Sequence, residues 1–116
     1  MKRDYFEFAD VAVTVCGKDG EILDMNRKSV ATFIKPGMDG IIGRNVLDCH
    51  PEPARSQLAD MLQNPRTNAY TVEKEGLKKL IFQTPWYDEN GEYAGYMELS
   101  MVLPAVLPNR IRVPKK

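Results

Sequence analysis

The stretch VAVTVCGKDGEILDMN, Val11 to Asn26, decides how this chain is read. Val11, Val13 and Val15 alternate with Ala12, Thr14 and Cys16, the two-residue period of a strand. Lys18-Asp19-Gly20 supplies the positive-φ glycine of a tight turn, and EILDM, residues 21–25, follows as a second, shorter strand. Residues 11–25 therefore read as a hairpin. Asn26 is then placed to cap a helix, its side-chain oxygen accepting from the free amides of the first turn, with Met25 and Val30 spaced as a hydrophobic staple.

Outward from the hairpin, Val30, Phe33 and Ile34 give a helical stripe that Lys35-Pro36-Gly37 should stop, since proline removes a donor and disfavours helix in the residue before it. MDGIIGRNVLD leaves room only for short helical turns around Ile41-Ile42 and residues 45–47. Ala54, Leu58, Met61 and Leu62 mark an amphipathic helix with Pro51 and Pro53 in its first turn, ended by Asn64-Pro65. From Asn68 the period returns to two, and NAYTVEKEG, LKKLIFQTPW and YAGYMELSMV read as an antiparallel meander. In the last run Gly95, Met97, Leu99 and Met101 form an apolar face, and Ala94, Tyr96, Glu98, Ser100 and Val102 a mixed one. Five antiparallel strands with helices packed on one face make an α+β domain.

The 116 residues suffice for one domain with a real core. Sixteen basic and sixteen acidic side chains cancel, so no global field favours nucleic acid or an anionic membrane, although RIRVPKK is locally basic. Asp4, Glu7 and Asp10 interrupt what would be the apolar core of a signal peptide, and no run approaches bilayer length, which predicts a soluble, cytoplasmic protein. Cys16 and Cys49 are expected as free thiols. Prolines 104, 108 and 114 deny donors to any sheet. The expected organisation is a flanking segment over 1–10, the domain over 11–102 and a proline-rich basic tail or linker over 103–116.

This order of elements, with the local signatures VAVTVCGKDGEILDMN, IIGRNVLDCHPE and DENGEYAGYMELS, resembles the PAS domain over roughly Phe8 to Val102. The resemblance implies a PAS-like sensory domain with a pocket between the inner sheet face and the helices, lined by Val13, Phe33, Ile42, Val46, Leu58, Met61, Leu62, Tyr70, Phe82, Met97 and Leu99. It implies a non-catalytic signal-sensing and protein-interaction module, a homodimer, a small apolar ligand or none, and a signalling partner or a missing output domain. The segment with Tyr5, Phe6 and Phe8 should then pack on the outer sheet face or across a dimer.

Chemistry centres on NVLDCHPEP, residues 45–53, which holds the chain's only histidine. A neutral His50 could ligate haem iron, as an axial histidine does in haem-binding PAS domains, but it precedes the central helix instead of sitting within it. No cofactor is expected; the alternative is a haem or redox sensor using His50 or Cys49. A small enzyme is the second alternative, weakened because sequence neighbours such as Cys49 and His50 do not face each other on a helix. One histidine and two distant cysteines give no metal-site spacing, and the flavin-photochemistry segment lacks its arginine and glutamine.

Overall fold

The computed structural model describes residues 4–34 and 40–115. Its strands are β1 (Ala12–Gly17), β2 (Ile22–Met25), β3 (Asn68–Lys74), β4 (Leu77–Tyr87) and β5 (Tyr93–Val102), in one antiparallel sheet of order β2-β1-β5-β4-β3. Helix α1 (Arg27–Phe33), a 3-10 turn (Val46–Cys49) and helix α2 (Ala54–Gln63) fill the middle of the chain. The expected stop at Lys35-Pro36-Gly37 lies outside the described residues; α1 closes with Ile34 donating to the Val30 carbonyl. Beyond β5, the Leu103 amide adds one bond to the Lys78 carbonyl, and 104–115 form no regular element.

Asn26 caps α1 as its residue type predicts, accepting from the Ser29 amide at 3.0 Å. The same oxygen accepts from the Val13 amide at 2.9 Å, and the amide nitrogen donates to the carbonyls of Phe6 at 2.6 Å and Val11 at 2.8 Å. One buried side chain thus joins the N-terminal segment, β1 and α1. Phe8 lies under the Arg27 guanidinium, 4.9 Å from it, on the same seam. A second asparagine, Asn45, accepts from the Leu47 amide and donates to the Asp19 carbonyl, fastening the 3-10 turn to the β1–β2 turn. Gly20 there has φ +91°, and a Cβ would stand 2.6 Å from Asn45 Oδ1, so the turn requires glycine.

Helix α2 begins one step later than the proline pattern suggests. Pro53 is the N-cap residue and has no side-chain acceptor; Glu52 replaces it, accepting from the Ser56 amide at 2.8 Å and hydroxyl at 2.7 Å. Helix α1 also turns differently from its expected stripe. Its buried residue is Ser29, bonded to Thr14 of β1 at 2.6 Å, whereas Val30 and Phe33 are 41% and 38% exposed.

The core gathers Cys16, Ile22, Met25, Ile41, Val46, Leu58, Met61, Leu62 and Tyr96. Cys16 and Tyr96 pair in register, as do Thr14 with Glu98 and Ala12 with Ser100, so this set of residues faces the helices. The helices therefore cover the mixed face of β5, and the apolar face with Met97, Leu99 and Met101 is the outer one. Alternation distinguishes two faces of a strand but does not say which of them a helix covers.

Gly95, with φ +152°, lets the two central strands approach, since a Cβ would lie 1.9 Å from the Cys16 carbonyl oxygen. Trp86, opposite Gly95 on β4, reaches across the bare backbone and donates to that oxygen at 2.9 Å. Gly95→Ala is expected to cost about 3 kcal/mol or more, because backbone must move. Gly91→Ala, with φ +78° but nothing within 4 Å, should cost only about 1 kcal/mol. Urea denaturation of the two variants checks the difference.

Candidate functional site

On the inner face a row of polar side chains crosses four strands in register: Asn68 of β3 opposite Gln83 of β4, Gln83 opposite Glu98 of β5, and Glu98 opposite Thr14 of β1. Asn68 Nδ2 donates to Gln83 Oε1 at 3.1 Å, and Gln83 Nε2 donates to Glu98 Oε2 at 2.9 Å. Two groups reach the row from the helical side. Ser29 meets Thr14, and His50 Nε2 lies 3.3 Å from Glu98 Oε2. His50 Nδ1 lies 2.7 Å from the Val46 carbonyl. The side chains of His50 and Glu98 are only 16% and 19% exposed.

His50 ends the 3-10 turn, with its backbone extended and its amide bonded to the Leu47 carbonyl. That backbone aims the ring at the sheet. The Glu98 hydrogen bond raises the His50 pKa above the ordinary 6.5; burial opposes the shift and the Glu98 charge adds to it. The Tyr70 phenol is pushed up by burial and then by Glu98. Burial also raises both thiols, Cys16 in the core and Cys49 beside Asp48, so neither is an activated nucleophile.

Next to the row, Tyr96 anchors α2. Its hydroxyl accepts from the Arg66 amide at 2.8 Å and lies 2.9 Å and 3.0 Å from the Met61 and Arg66 carbonyls. Tyr93 packs edge-on against it and donates to the Leu62 carbonyl at 3.2 Å.

The residues expected to line one pocket divide between several places. Val46, Leu58, Met61 and Leu62 lie together in the core, and Tyr70 is on the inner face opposite Ile81. Val13, Phe82, Met97 and Leu99 lie on the opposite face of the sheet, because the register puts Val13 against Leu99 and Phe82 against Leu99. Phe33 and Ile42 are exposed, Ile42 to 57%. Two clefts flank these groups. One of about 140 Å3 lies between α1 and the ends of β4 and β5, lined by Asp10, Lys28, Thr32, Lys79, Ser100, Met101 and Val102. The other, about 110 Å3, lies on the outer face under Phe6, beside Val13, Val15 and Met97.

The polar row is not legible in the sequence alone. Its only signal there is a polar residue at an alternate position of each of four strands, and aligning them needs the register.

His50 does not fit an axial haem ligand as placed, because both ring nitrogens are engaged by protein acceptors. Among the described residues, no group of three or more His, Cys, Asp or Glu side chains is placed to hold a metal. No helix among them is long and apolar enough to cross a membrane.

Sheet order β2-β1-β5-β4-β3 with helices on one face is the PAS arrangement, and the chain has the PAS fold. Among similar solved structures is the PAS domain of BvgS from Bordetella pertussis, 16% identical, with TM-score 0.65 over 85% of this chain and 81% of that one. The PAS domain of the histidine kinase ThkA is 18% identical, with TM-score 0.64 over 80% and 99% of the two chains. A third, from Vibrio cholerae, is 20% identical with TM-score 0.56 over 81% and 95%; it is the Aer2 receptor, described as a dual PAS-heme oxygen sensor. No protein-family model matches the sequence, and no curated protein matches it.

Tyr96→Phe should leave the Arg66 amide and one of two carbonyls short of a partner. A loss of about 1–3 kcal/mol in denaturant unfolding is expected, together with faster hydrogen exchange at Arg66.

Proposed function

We propose that the chain is a non-catalytic PAS-type module that senses a signal and transmits it by protein interaction. The observation that carries this reading is the way α2 and the end of the 3-10 turn meet β5: through side chains, at His50–Glu98, Tyr96 and the core around Met61, while the start of the turn is tied by backbone, Val46 donating to the Gly20 carbonyl at 2.8 Å. Such a contact can have two arrangements without disturbing the strand ladder, and a stimulus shifts it by binding one arrangement better. A small ligand entering here meets Val46, Leu58 and Met61 on the helical side and the polar row on the sheet side. Raised thiol pKa values and a histidine tied at both nitrogens argue against nucleophilic catalysis.

The output passes to a signalling partner or an output domain, as the kinship in fold with the PAS domain of a histidine kinase suggests. We place the module in the cytoplasm, acting as a homodimer through the outer sheet face. There Leu80, Phe82, Met97, Leu99 and Met101 form an apolar surface with the half-exposed Phe6 beside it.

Native mass spectrometry of the purified chain is expected to show the dimer mass, with any ligand retained as a copurified small molecule. A monomer at micromolar concentration carrying nothing would refute the reading. Leu99→Lys should weaken self-association about tenfold or more, measured by analytical ultracentrifugation, while leaving the inner face folded.

A further inference from the structure

His50 is the chain's only histidine, and it stands between two groups that can only accept hydrogen bonds. The Val46 carbonyl lies 2.7 Å from Nδ1 and the Glu98 carboxylate 3.3 Å from Nε2. A neutral imidazole has one N–H and must set a lone pair against one of these oxygens. The imidazolium has two and satisfies both. Gln83, donating to the same Glu98 oxygen at 2.9 Å, and Asn68 behind it hold the carboxylate in place, so the ring side of the contact is the one free to yield.

We propose that His50 and Glu98 form a proton-operated clamp: protonated, His50 holds the end of the 3-10 turn and the entry to α2 against β5, and loss of that proton releases them. The proposal rests on the sensory reading above and names the proton as its stimulus. If the Nδ1 proton is kept, the released lone pair of Nε2 faces a carboxylate. If the Nε2 proton is kept, Nδ1 faces the Val46 carbonyl. The first of these, which keeps the shorter Val46 bond, pushes the end of the turn from the sheet; the second keeps the His50–Glu98 bond and strains only the contact inside the turn.

The surroundings leave this transition to His50. Cys16 on β1, Cys49 on its own turn and Tyr70 on β3 face the same region, and burial raises all three, so they stay neutral where histidine titrates. Asp48 of the turn pairs with Arg55 of α2 at 3.6 Å, and Arg44 lies on the Cys49 side. The core-facing residues of α2, Leu58, Met61 and Leu62, carry no charge. The sign follows from the raised value of His50. The clamp is complete below pH 6.5 and is lost as pH rises through the higher folded-state value.

A pH titration of the 15N-labelled chain by long-range proton–nitrogen NMR reads one imidazole without ambiguity. Both ring nitrogens should be protonated at pH 6, with a midpoint above 6.5. Amide shifts in the 3-10 turn, α2 and around Glu98 should move with that midpoint. Glu98→Gln should lower the midpoint toward the ordinary 6.5 and uncouple those amides. His50→Gln should abolish their step between pH 6 and 8, and it decides the matter should Glu98→Gln fail to fold. A wild-type midpoint at or below 6.5, a midpoint unchanged by Glu98→Gln, or α2 amides that ignore His50 would overturn the clamp. A coupled His50 in a chain that stays monomeric keeps the clamp and sinks the reading of a dimer that transmits through its outer face. An uncoupled His50 in a dimer that retains a ligand does the reverse.

Discussion

A single buried amide ties the N-terminal half of this domain together. Asn26 fills its whole hydrogen-bonding capacity, two bonds accepted at Oδ1 and two donated from Nδ2, with partners on the N-terminal segment, β1 and the first turn of α1. Its backbone amide adds a fifth bond, to the Val13 carbonyl. Because Asn26 itself is buried, losing a partner leaves a polar group poorly solvated, and this holds α1 at one angle to the sheet. That angle puts Ser29 over Thr14 and so completes one end of the polar row.

The row gives the inner face a character that an apolar pocket would not have. Thr14, Glu98, Gln83 and Asn68 form one line across the sheet, and both helical segments reach it with a polar side chain, Ser29 from α1 and His50 from the 3-10 turn. Packing against apolar groups alone tolerates sliding by small amounts, whereas hydrogen bonds at fixed register do not. The apolar contacts of Leu58, Met61 and Leu62 supply the attraction between α2 and the sheet, and the polar contacts supply its position.

Much of this architecture was legible in the sequence, and the gaps have physical reasons. The hairpins could be read because turn glycines punctuate a two-residue period, and Asn26 could be read as a cap because capping is local. Its bonds to Phe6, Val11 and Val13 could not, since they depend on how a distant segment returns. The apolar stripe of Met97 and Leu99 invited the wrong face. Those side chains lie on the side away from the helices, where Phe6 and the N-terminal segment approach, and burial by a neighbouring segment leaves the same imprint on a sequence as burial by a helix. His50 was locatable before the helix, but its direction depended on the extended backbone that follows the 3-10 turn. The polar row required the register of four strands, which no single strand encodes.

The sheet's central pair, β1 with β5, joins residues from opposite ends of the domain: Ala12 meets Ser100 and Gly17 meets Gly95. The strands β3, β4 and β5 are a local meander, and β1 with β2 a local hairpin, so each can form with little loop-closure entropy. The pairing between them cannot. Contact-order reasoning makes it the slow event of folding, with two half-sheets meeting late across the bare backbone of Gly95. During synthesis the first hairpin emerges early and waits for nearly the whole domain before its second edge is covered, a time in which the strand with Val13 and Val15 is open to other chains.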